Sequence, residues 1–137
     1  MDKRLEVEIG EWLEVLDLGD FSYQQFKNSE MFQDPYRNGI LFAKLFCFLE
    51  KLDMFGLSAF PQNIAECRRN LMKVFSAIRQ KRTEIPRQLL TVNGVEEILK
   101  GNRAYIFTIL VYLKSMYGHG ECSQELDNYL KREEENY

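Results

Sequence analysis

A chain of 137 residues, 45% hydrophobic and 28% charged with three prolines and eight glycines, can bury roughly two-thirds of its unfolded surface in one domain, which excludes disorder over most of its length. Three scattered cysteines with no CxxC pair, and a single histidine, His119, exclude a structural zinc site, which takes four Cys or His ligands in paired clusters. The net charge of −3 disfavours duplex nucleic acid, whose binders carry a clear positive excess.

Residues 1–10 mix charge with single apolar residues, so no secretory leader is expected. Leu5, Ile9, Trp12, Leu13 and Leu16 fall on one face of an amphipathic helix that stops before Gly19. Residues 20–37 hold Phe21, Tyr23, Phe26, Met31, Phe32 and Tyr36 without a period. They read as a loop with one short helical piece, broken at Asp34-Pro35. After Asn38-Gly39, the run from Ile40 to Leu52 is apolar around most of a helix, the pattern of an element buried at the centre. Residues 53–62 form a loop. Asn63 with Glu66 has the form of a capping box for a long helix whose apolar stripe is Ile64, Cys67, Leu71, Val74, Phe75 and Ile78. Arg69 and Lys73 fall opposite that stripe, and Arg68 and Arg79 along its edge. Lys81-Arg82 ends this helix, and Pro86 starts a short turn through Leu90. Asn93 and Glu96 repeat the capping pattern before Val95, Ile98 and Leu99; Gly101 closes that helix and Asn102 caps the next. Residues 103–116, apolar on every face, read as a second buried helix, and its apolar run from Ala104 to Leu113 is too short to span a bilayer. The division expected is a helical domain over 1–118 and, over 119–137, an acidic tail or the start of a helix or coiled coil, with Leu126, Tyr129 and Leu130 at helical spacing.

From Gly10 to Tyr117 the order and spacing of these elements resembles a calponin-homology domain. Trp12-Leu13 stands where that family has a tryptophan in its first helix. Asn38-Gly39-Ile40-Leu41, followed by Leu45 and Leu49, resembles its turn and central helix, and Asn63-Ile64 with Asn70-Leu71 resembles the start of its next long helix. Glu84-Ile85-Pro86, the Val95–Ile98 turn, Gly101-Asn102 and the Ile106–Leu113 helix resemble its C-terminal third. Residues 20–37 depart from the family, being longer than its usual connection. The resemblance implies an all-α fold with two buried central helices, and a non-catalytic module that binds cytoskeletal proteins. A single copy that begins at Met1 and runs towards a coil resembles the members attached to microtubules and to centriolar, ciliary or spindle assemblies, whereas paired copies usually bind actin. The expectation is therefore a cytoplasmic, cytoskeletal protein partner, microtubules ahead of actin, with no membrane or nucleic acid and with oligomerisation through a downstream coil. The alternative is an adaptor or dimerisation domain without filament contact.

Seven bases between Ala65 and Leu90 are the candidate partner-binding residues: Arg68, Arg69, Lys73, Arg79, Lys81, Arg82 and Arg87, against two acids. Such charges suit acidic tubulin tails or another acidic patch, through contacts that are weak singly and screened by salt. The opposing reading is a solvated face that pairs with the acidic N-terminal helix, where residues 1–20 carry seven acids against two bases. Phe55, Phe60 and Tyr36, all in loops, are candidates for an exposed docking patch. The other aromatics are assigned mostly to the core, as are the thiols of Cys47 and Cys67. Catalysis is not expected and no cofactor is implied: GxxxxGK[ST], GxSxG and HExxH are all missing, and His119 has no carboxylate or nucleophile spaced to work with it.

Overall fold

A computed structural model describes residues 3–51 and 56–118, and its regular structure is helical, with no strand among the described residues. The α-helices are α1 (Lys3–Val15), α2 (Tyr23–Phe26), α3 (Ile40–Glu50), α4 (Ile64–Lys81), α5 (Val92–Leu99) and α6 (Arg103–Gly118). Short 3₁₀ turns at Gly19–Phe21, Met31–Gln33 and Arg87–Leu90 join them. The expected tail over 119–137, with His119 and Cys122, lies outside the described residues, as does Phe55.

α1 buries Ile9, Trp12 and Leu13, as the spacing predicts, with Leu16 buried just beyond its end. It stops before Gly19, as expected, ending at Val15. Asp17 takes the left-handed conformation (φ 62°), the Leu18 amide donates to Leu13 O at 2.7 Å, and the Asp17 amide donates to Glu14 O at 3.0 Å. That is the Schellman closure, with an aspartate where glycine is usual. The connection 20–37 holds α2 and two 3₁₀ turns, more order than the single helical piece expected of it.

Gly39 (φ 90°) opens α3 where no side chain fits: a methyl there would lie 2.7 Å from Asn70 Cβ and 3.0 Å from Leu71 N. α3 therefore meets the middle of α4 almost backbone to backbone. Along the α3–α4 contact, Phe42 and Phe75 pack edge to face with centroids 6.3 Å apart. α4 lies on α5, α5 on α6, and α6 on α1, around one continuous apolar core. The inner faces of α3 and α6 are fully buried, but burial on nearly every side is not what is found. Phe48 on α3 is half exposed, and on α6 Thr108 and Tyr112 reach solvent. Ile64, placed in the α4 stripe by its period, is the first residue of the helix and is also exposed.

The caps explain the helix starts. Asn63 Oδ1 accepts the Glu66 amide at 2.9 Å, while the Glu66 carboxylate reaches back to the Gln62 amide at 2.8 Å, one residue earlier than a capping box requires. α5 begins before Asn93: Thr91 is its cap and accepts the Gly94 amide at 3.2 Å. Gly101 (φ 82°) does close α5, and Asn102 caps α6 by accepting the Tyr105 amide at 3.2 Å.

Candidate functional site

The seven bases separate into two groups once α4 is packed. Arg68 grips Glu96 of α5 with two prongs, Nε to Oε1 at 2.7 Å and Nη2 to Oε2 at 3.3 Å. That hydrogen-bonded pairing raises the Arg68 pKa and lowers that of Glu96. Arg82 Nε lies 2.6 Å from Glu50 Oε1 at the end of α3. Arg79 Nη1 donates to Leu90 O at 2.5 Å, fastening the 3₁₀ turn to α4. Lys73 Nζ donates to Gly56 O at 2.9 Å while remaining exposed. Arg69, Lys81 and Arg87 are exposed and take no part in the ion pairs formed among the described residues. Four of the seven thus have structural partners, and Arg69 and Lys73, one turn apart, form an outward basic ridge. The acidic N-terminal helix is not the partner of these bases. Its Glu6 pairs with Arg103 and its Glu8 with Lys114 at 2.6 Å, both on α6.

Beside the ridge runs the loop 56–62, and a residue absent from the candidate set holds it there. Asn70 has no exposed surface. Its Oδ1 accepts the Ser58 amide at 2.8 Å, and its Nδ2 donates to Ser58 O at 2.9 Å and to Asn38 O at 3.1 Å. One buried amide therefore ties α4 to the loop on one side and to the start of α3 on the other. A polar residue inside the stripe from Cys67 to Ile78 was the available signal, since a buried amide must find partners. The loop carries Phe60 outward, 85% exposed.

Of the three loop aromatics, Phe60 alone is seen at the surface. Tyr36 is 1% exposed, which corrects its assignment to a docking patch. Its ring stacks on Phe107 with centroids 6.1 Å apart, Tyr23 meets it edge-on at 5.2 Å, and its hydroxyl donates to Phe21 O. The turn that inserts Tyr36 is built by Asp34, whose Oδ1 accepts the Tyr36 amide at 2.9 Å. Asn38 continues it, accepting the Ile40 amide at 2.9 Å and donating to Phe32 O at 3.0 Å. This turn and the loop 59–62 face each other across an apolar groove of about 430 Å³. Phe21, Phe26, Phe32 and Pro35 line one wall, and Phe60 and Pro61 the other.

Cys67 is buried and Cys47 half-buried, and burial pushes the Cys67 thiol up in pKa, so it is a poor nucleophile. Among the described residues no group of three or more His, Cys, Asp or Glu is placed to hold a metal ion, and no helix is long and apolar enough to cross a membrane. Compared with known proteins, the chain matches no family model, no curated protein and no solved structure.

Proposed function

We propose that the chain is a calponin-homology-like, non-catalytic module that binds protein, joining a larger assembly to microtubules or to a microtubule-associated structure. The observation that carries this reading is the division of the basic segment. Arg68, Arg79 and Arg82 are spent on internal partners, while Arg69, Lys81 and Arg87 stand exposed outside any ion pair with the described residues, and Lys73 is exposed beside Arg69. Exposed bases with no carboxylate partner among the described residues suit a surface that meets acidic polypeptide, where they steer the encounter more than they tighten the complex. The order of helices supports the family resemblance: Trp12 buried in α1, the Asn38-Gly39 turn before a core helix, a long α4, and α6 packed back on α1. Fold and filament alike are inferred by analogy here, and the bases carry the partner's chemistry.

Co-sedimentation of the full chain with stabilised microtubules, run in parallel with actin filaments, tests this reading. Saturable pelleting with microtubules at low salt is the expected result. Pelleting with actin alone moves the reading to an actin module. Pelleting with neither contradicts filament binding and leaves the adaptor reading, which the apolar groove beside Phe60 favours.

A further inference from the structure

Phe60 is unusual in being both a wall of the apolar groove and a projection from it, with 85% of its surface open. The chain presents it rigidly. The loop that bears it is fixed to α4 through Ser58 by Asn70 and through Gly56 by Lys73, and Pro61 limits the backbone next to it. The facing wall is equally fixed by the Asn38 side chain and carries Phe21, Phe26 and Phe32. A knob and a complementary aromatic wall on one patch are what a two-fold, isologous contact requires, since each copy then supplies both halves.

We propose that this groove is a self-association surface, in which Phe60 of each of two copies of the chain packs against the Phe21–Phe26–Phe32 wall of the other. The charges at the two walls agree with this occupant. Lys44 Nζ stands 5.7 Å from the Phe21 ring centroid, beside the first wall. Glu66, whose carboxylate accepts the Gln62 amide, stands beside the second. A two-fold axis running along the groove lays the first wall of one copy over the second wall of its partner. In the proposed pairing each Lys44 faces the Glu66 of the other copy, alongside the two Phe60 insertions. The patch is small beside a permanent dimer interface, so the contact is a weak and exchanging one. It does not rest on the filament reading, although pairing two basic ridges in one particle raises avidity for any repetitive partner.

The test is sedimentation equilibrium of the full chain from micromolar to millimolar concentration, with backbone amide NMR shifts followed on dilution. The expected result is a concentration-dependent dimer in which the amides of Phe21, Phe26, Phe32 and Phe60 shift together. Phe60→Ala, at an exposed position that leaves the core intact, weakens association about tenfold or more. Lys44→Glu and Glu66→Lys each weaken it several-fold, and the two combined restore it to within about twofold of the starting chain, because the exchanged charges again face each other. Glu66→Lys also removes the acceptor of the Gln62 amide, so Glu66→Gln, which keeps an acceptor and drops the charge, serves as the second variant and weakens association without disturbing the cap. A chain that stays monomeric throughout, including one that binds an apolar peptide in the groove as a monomer, overturns the proposal. So does a dimer that survives Phe60→Ala, which would be formed by another surface.

Discussion

Asp34 is 3% exposed, and its carboxylate is held against the Tyr36 amide in the turn that drives Tyr36 into the core. Burial pushes its pKa from 3.8 up to about 6, against the smaller opposing pull of the Tyr36 amide and the Arg37 guanidinium. Arg37 is only a weak counter-charge because its own hydrogen bonds go to Leu99 O, at 2.6 and 3.1 Å. The sign of the effect on stability follows. With the folded value above the unfolded one, the folded state keeps this proton to higher pH, so its contribution is complete below about pH 4 and is lost as pH rises through about 6. The loss amounts to at most about 3 kcal/mol. Asp34→Asn keeps the acceptor for the Tyr36 amide and removes the ionisation. Urea unfolding across pH 4 to 8 is therefore expected to show the variant more stable than the starting chain at pH 8, with the difference shrinking as the pH falls. A difference that does not change with pH would mean that Asp34 is not the group being titrated.

At the scale of elements, the parts readable from sequence were those governed by local periodicity. Ile9, Trp12 and Leu13 in α1, and Cys67, Leu71, Val74, Phe75 and Ile78 in α4, repeat every three or four residues and are buried as that repeat demands. Caps were half-readable. Asn63 and Asn102 act where expected, but Thr91 took the place assigned to Asn93, because the helix already begins at Val92 and Asn93 lies inside its first turn. Contacts between distant segments were not readable. Tyr36 looked like a loop aromatic because its partner Phe107 is 71 positions away, and Asn70 stood outside the candidate set because the groups it satisfies, at Asn38 and Ser58, lie in other segments. The same reasoning gives Asn70 a large role. Asn70→Ala leaves the Ser58 amide and two carbonyls without their partner, and costs about 3 kcal/mol if the loop stays in place, less if water reaches it. Thermal or urea unfolding measures the cost, and hydrogen exchange at the Ser58 amide shows whether the loop 56–61 has come free. A change under about 0.5 kcal/mol, the level of an ordinary surface substitution, would contradict the role given to this side chain.

For the whole molecule, charge is the property that composition described least well. A net charge of −3 conceals acids of α1 facing α6, and bases in α4 and at its C-cap facing α3, α5 and the 3₁₀ turn, so much of the apparent polarity of the chain is internal. The seven candidate bases were visible in the sequence, but their division was not, because Glu96 and Glu50 reach Arg68 and Arg82 only through the tertiary packing. Solvent-screened pairs such as Arg68–Glu96 contribute little to stability, so their removal tests binding without unfolding the domain. The bases left outside such pairs are the ones expected to meet a partner.

The most direct measurement is therefore a microtubule-binding isotherm of the full chain at low and physiological salt, compared with a variant carrying Arg69→Glu, Lys81→Glu and Arg87→Glu and with a control carrying Arg68→Ala. Saturable binding that weakens with salt, falls at least about tenfold in the triple variant and changes less than about threefold in the control is the predicted result. Equal binding by the triple variant and the starting chain, with both shown to be folded, would contradict it.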